Sequence, residues 1–182
     1  VPSGSFGDCG DSLTALALCG IMGLSAFCTP FTAYAAYERD ASGVYRMDDG
    51  TAIENVYARG IDVSHWKQDI NWNAVAADDV SFVMLGTRYQ GQVDPYFRIN
   101  AEGAHSAGIA LGAYIYSYAT TPEMAEEEAD FVLDLIKDYP ISYPVAFDVE
   151  DNGTLGTLTP SQVSEIINAF CQKIEDADYY PI

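Results

Sequence analysis

Asp148 and Glu150 flank a single residue in Ala146-Phe147-Asp148-Val149-Glu150-Asp151. On a β-strand, residues i and i+2 point to the same side, with Cα atoms about 6.5–7 Å apart. The pair therefore delivers two carboxyl groups into one space. Two facing acids repel each other, which raises the pKa of one and leaves the other ionised. A proton donor beside an anion is the equipment for breaking a glycosidic bond. Asp62, in Arg59-Gly60-Ile61-Asp62-Val63-Ser64, closes another apolar strand and would enter the same mouth. The apolar run Val145-Ala146-Phe147 predicts a desolvated Glu150, with Asp148 kept ionised by donors such as the Tyr114 hydroxyl. A lone acid at a strand end more often caps a helix or faces solvent. The in-facing pair plus a third acid is what singles these residues out.

Such acids converge only if the elements beneath them run in parallel. From Arg59 onward, apolar strands alternate with helical segments. Strands are predicted over Arg59–Ser64, Val80–Tyr89, Ile109–Ala119 and Tyr143–Asp151, and a fifth begins at Tyr179. Between them, helices are predicted over Trp72–Asp79 and Asp94–Ala107. Two more start at Thr121-Pro122 and Thr159-Pro160, each a hydroxyl cap followed by proline at the first helical position. Gln162 completes a capping box with Thr159. Repeated β-then-α units imply an α/β fold with a parallel sheet, doubly wound or closed as a barrel. No G-x-G-x-x-G or P-loop follows any strand, so nucleotide binding loses its usual support. Acids at the C-terminal ends of strands are where a β/α barrel keeps its active site.

The ordered motifs resemble the glycoside hydrolase family 25 lysozymes, muramidases of the Chalaropsis type. They are Gly60-Ile61-Asp62-Val63-Ser64-His65-Trp66 with Asp69-Ile70-Asn71-Trp72, then Gly112-Ala113-Tyr114-Ile115-Tyr116-Ser117-Tyr118. A helix with Ala125, Glu128 and Ala129 follows, and then Phe147-Asp148-Val149-Glu150. The resemblance spans residues 59–182. It implies a TIM-like β/α barrel, of whose eight strands this chain reaches about the fifth. It also implies cleavage of the β-1,4 bond after N-acetylmuramic acid in peptidoglycan. In that scheme Glu150 protonates the glycosidic oxygen. Asp148 stabilises the sugar cation or an intermediate formed by the substrate's own N-acetyl group, and Asp62 tunes the pair. Tyr114 borders the cleft with Tyr116, Tyr118 and Arg88 as substrate-binding candidates. Gly86-Thr87-Arg88 stands where the family often has Arg-Ala-Gly, and Ile115 where a histidine is common. A non-catalytic glycan-binding module on the same fold is the alternative.

Composition narrows the partners. Eight Lys and Arg against 27 Asp and Glu give a net charge of −19, which argues against nucleic acid and anionic membrane surfaces. Apolar residues at 49% leave ample material for a core. Leu13 to Ala36 carries no charge and ends in the small-x-small pattern Ala33-Tyr34-Ala35. Residues 1–35 therefore read as a secretory signal-like segment, with an N-terminal membrane anchor as the alternative. A secreted or wall-associated monomer, without stable membrane insertion after cleavage, is expected. Residues 36–58 read as a linker. His65 and His105 are not spaced as a metal pair, and no metal or cofactor is expected. Cys171, on the apolar side of the last helix, reads as a buried inert thiol. Glu126-Glu127-Glu128 reads as a solvated helix face.

Overall fold

The computed structural model describes residues 37–182 apart from Asp48; the apolar segment 1–35 lies outside the described residues. The chain forms two compact units, one reaching to Val56 and the other running from Tyr57 to Ile182. The first contains structure where a linker was expected. Strands β1 (Tyr37–Arg39) and β2 (Tyr45–Met47) pair antiparallel. The turn between them is built by Asp40, whose carboxylate accepts the Ser42 and Val44 N–H groups at 2.9 and 3.0 Å. Gly43 supplies the positive φ of +86°. Arg46 Nε closes the turn on Asp40 at 2.8 Å. Three-residue strands are too short to show a period of two, and the local Asp–backbone bonds carry the hairpin instead.

In the second unit the β-then-α reading holds. Strands β3 (Gly60–Val63), β4 (Phe82–Gly86), β7 (Ala110–Tyr116) and β8 (Ile141–Asp148) lie side by side in sequence order, all parallel. Helices α1 (Trp72–Ala77), α2 (Phe97–Ser106), α3 (Pro122–Ile136) and α5 (Pro160–Asp176) alternate with them. The short α4 (Asn152–Leu155) was not anticipated; Asp151 caps it by accepting Thr154 N–H at 2.8 Å. Thr121 caps α3, and Thr159 with Gln162 forms the expected capping box of α5. Tyr180–Ile182 starts a further parallel rung along β8: Val145 N–H donates to Tyr180 O at 2.8 Å, and Phe147 N–H to Ile182 O at 2.9 Å.

Alternation along each strand divides the sheet into two faces. Val63, Val83, Leu85, Leu111, Ala113, Ile115, Val145 and Phe147 are buried and form one core with Phe97, Ala101, Val132, Ile136, Ile166, Phe170 and Ile174 of the helices. Phe147 and Phe170 stack with ring centroids 4.2 Å apart. The opposite residues, Asp62, Met84, Tyr114, Tyr116, Ala146 and Asp148, are not in this core. The register steps from Leu111↔Ile141 to Ala113↔Val145, so β8 uses four residues where β7 uses two. Pro144, which has no N–H for a ladder bond, lies inside that irregularity. Because the excess is even, every later side chain keeps its face. At the N-terminal end of this second face, Phe82 stacks on Tyr143 at 4.2 Å. Gly60 makes room for them: a Cβ there would lie 2.2 Å from the Phe82 ring.

Fully buried Phe170 anchors α5 to the sheet. Phe170→Ala should cost about 3–5 kcal/mol, read as a lower urea midpoint at unchanged slope. A loss within about 0.5 kcal/mol, the range of surface substitutions, would contradict this packing.

Candidate active site

The second face opens at the C-terminal ends of its strands into a cleft of about 820 Å³. Asp62 and Ser64 reach it from the end of β3, Tyr114 and Tyr116 from β7, and Asp148 from the last position of β8. Glu150 borders it from the loop before α4, and Tyr118 and Arg88 complete its wall. All seven residues singled out from the sequence thus line one cavity.

The burial of the acids differs from expectation. Glu150 is exposed, because β8 ends at Asp148 and the chain has left the sheet two residues later. The desolvation falls on Asp148 instead. Burial first, then the charges of Glu150 and Asp62, push the Asp148 carboxyl above its ordinary range. The three carboxyl groups therefore share one electrostatic field. Tyr114, expected to steady Asp148, meets Ser64 through its hydroxyl. Burial pushes that hydroxyl up, and the Asp62, Asp94 and Asp148 charges add to the shift. Its ring crosses β4 at Gly86, where a Cβ would stand 3.0 Å from the Tyr114 hydroxyl and 2.9 Å from Ser64 Cβ. The absent side chain at Gly86 makes the Tyr114–Ser64 approach possible.

The predicted strand Val80–Tyr89 breaks at Thr87. Its end becomes a separate hairpin, β5 (Arg88–Tyr89) with β6 (Gln92–Val93), turning on Gln90 and Gly91 at positive φ. The Tyr89 ring lies tilted against the His65 ring with centroids 3.7 Å apart, and His65 lies 4.5 Å from Trp66, which is 76% exposed. These three rings form one side of the cleft, and Tyr116 and Tyr118, 5.2 Å apart, are further members of its wall.

Two buried acids escaped the sequence reading. Asp94 is 1% exposed; one of its oxygens accepts the His65 N–H and faces His65 Nδ1, both at 2.9 Å, and the other accepts the Tyr96 N–H. It pins the turn after β3, and its place just before Pro95 resembles no more than a helix start in the sequence. Glu128, read as part of a solvated run, is 6% exposed and paired with Arg88 at 2.6 Å. Helical spacing explains it, since Ala125, Glu128, Ala129 and Val132 share the inner side of α3 and all are buried. Cys171 is only partly buried, with its thiol pushed up by burial. Among the described residues, no group of three or more His, Cys, Asp or Glu is placed to hold a metal ion.

Comparison with known proteins places these features. The sequence profile of the glycosyl hydrolases family 25 matches residues 61–182, most of the chain and every strand of the parallel sheet. The chain belongs to glycosyl hydrolase family 25. It is 41% identical over 63 residues to Lysozyme M1 of Streptomyces globisporus, an alignment covering 32% of this chain and 20% of that protein. Its fold is similar to that of the modular autolysin LytC from Streptococcus pneumoniae, with a TM-score of 0.65 and 25% identity, covering 79% of this chain and 36% of LytC. A second LytC structure, in complex with a synthetic peptidoglycan ligand, gives a TM-score of 0.66 at 24% identity. The bacterial lysozyme from Streptomyces coelicolor matches with a TM-score of 0.53 and 26% identity, covering 68% of this chain and 59% of that one. The chain thus spans about a fifth of Lysozyme M1 and about a third of LytC.

Asp148 yields a stability prediction. Its folded pKa lies above the ordinary value, so its ionisation works against folding as pH rises through that folded pKa. Asp148→Asn should therefore melt higher than wild type at neutral pH, with the gain shrinking as pH falls below the carboxylate range. A variant that melts lower at neutral pH than wild type, and regains its stability in acid, would have the opposite sign and reject the assignment.

Proposed function

We propose that this family 25 protein is a muramidase that hydrolyses the β-1,4 bond between N-acetylmuramic acid and N-acetylglucosamine in peptidoglycan, on a β/α barrel scaffold. The observation that carries the reading is the coupling of Asp148 to both Glu150 and Asp62 within one tyrosine-lined cleft. Glu150 serves as the general acid. Its exposure leaves it open to a glycan lying along the cleft, within reach of a glycosidic oxygen. Proton transfer to the glycosidic oxygen breaks the bond and leaves positive charge on the sugar. Asp148 stabilises that charge or orients the substrate's acetamido group. Its raised pKa makes its anion a stronger base and so a better acceptor for an acetamido N–H. Asp62 tunes Asp148 by its charge. Tyr114, Tyr116 and Tyr118 offer ring faces and hydroxyls together, which suits a sugar, and Arg88 holds its place in the same wall.

A wall glycan substrate fits a secreted or wall-associated protein, and the net charge of −19 disfavours a nucleic-acid partner. The expectation remains a monomer that needs no cofactor.

Clearing of a bacterial cell-wall suspension tests the proposal. Glu150→Gln should slow it about 10²- to 10⁴-fold, the usual contribution of a general acid, while sedimentation with the walls persists. Near-normal clearing by the variant would reject Glu150 as the acid. Binding to walls without clearing by either protein would favour a glycan-binding module.

A further inference from the structure

The described residues lining the cleft include a single Lys or Arg, Arg88. A lone cation beside three carboxylates would ordinarily neutralise one of them, yet this guanidinium is committed elsewhere. Its Nη2 donates to Glu128 Oε1 and to the Tyr116 carbonyl, both at 2.6 Å. Glu128 Oε1 also accepts the Tyr118 N–H at 3.0 Å, and Oε2 accepts the Ser117 hydroxyl at 2.7 Å. Ser117 Oγ in turn accepts the Ala119 N–H at 3.1 Å. One ion pair from β5 and α3 thereby fixes three successive residues at the end of β7: the carbonyl of Tyr116, the side chain of Ser117 and the amide of Tyr118. The side chains of Arg88 and Glu128 are only 15% and 8% exposed, whereas Tyr118 is 52% exposed. The guanidinium lies 5.3 Å from the Tyr118 ring centre, within cation–π range.

We propose that Arg88, Glu128 and Ser117 form a clamp that positions Tyr116 and Tyr118 as a preset wall for the glycan, with Glu128 and Ser117 acting from outside the cleft lining. The inference rests on the glycan-cleft reading above. A carboxylate this enclosed is held in place by charge-assisted hydrogen bonds, and its function is to stop the Tyr116–Tyr118 segment from rearranging when the cleft is empty. Preorganisation of this kind strengthens binding of ground state and transition state alike. It therefore acts on KM and leaves kcat alone. It also explains why Arg88 leaves the Asp62–Asp148–Glu150 field un-neutralised.

The clamp is tested with Glu128→Gln, which keeps shape and removes charge, and with Ser117→Ala, which deletes one hydroxyl and keeps the test open should the first variant unfold. On soluble peptidoglycan glycan strands, each should raise KM about tenfold, the equivalent of one hydrogen bond to a charged group, with kcat within about twofold of wild type. Ser117→Thr, which restores the hydroxyl, should recover much of the loss. Folded variants with unchanged KM, or with kcat lowered at constant KM, would overturn the clamp. Calorimetric titration with the same soluble peptidoglycan glycan strands separates the two claims. If wild type binds but does not cleave, the muramidase reading fails, and the clamp then stands or falls on the same tenfold rise in Kd. If wild type neither cleaves nor binds, both fail.

Discussion

The two-residue period of a parallel sheet is the constraint on which the rest depends. Helices cover one face, so every residue sent there must be apolar, and Val83, Leu85, Leu111, Ala113, Ile115, Val145 and Phe147 comply without exception. The intervening positions are relieved of that duty. They carry Asp62, Tyr114, Tyr116 and Asp148 to one side of the sheet, and parallel pairing gathers their C-terminal ends. The same rule explains why β8 tolerates Pro144. Its irregularity adds an even number of residues, so Asp148 keeps the face that an odd insertion would have taken away.

Placing acids together in a chain already at −19 works against the folded state, and Asp148 is where the cost appears. Among the described residues lining the cleft, the one Lys or Arg, Arg88, is bound to Glu128 and so does not offset it. Strain of this type is expected where a site must hold a proton and an anion close together. The surroundings that tolerate it are a ladder of parallel strands below, and the clustered Tyr89–His65–Trp66 rings pinned through buried Asp94.

Strands, helix caps and the acids themselves were legible because each depends on local pattern: alternation, a Thr-Pro start, a D-x-E spacing. What escaped depends on tertiary partners or on where an element stops. Thr87-Arg88-Tyr89 has strand-like composition, and nothing local reveals that it leaves the sheet for a hairpin. Glu150 keeps the spacing of an in-facing residue, but the strand ends at Asp148, so the burial expected of one acid belongs to the other. Glu128 sits in a run of three glutamates, and only the helical phase shared with Ala125, Ala129 and Val132 separates it from its solvated neighbours. The hairpin at residues 37–47 rests on Asp40, whose bonds to the turn leave no periodic trace.

The central claim is that Asp62, Asp148 and Glu150 act on one another across a shared cleft. Carboxyl carbon NMR, following the Asp148 titration in wild type, Glu150→Gln and Asp62→Asn, measures it directly. The midpoint of Asp148 should lie above the ordinary Asp range in wild type. It should fall in both variants, further for Glu150→Gln, whose charge contributes more than that of Asp62. A midpoint left unmoved by both substitutions would show three acids that do not sense each other, and would contradict the account.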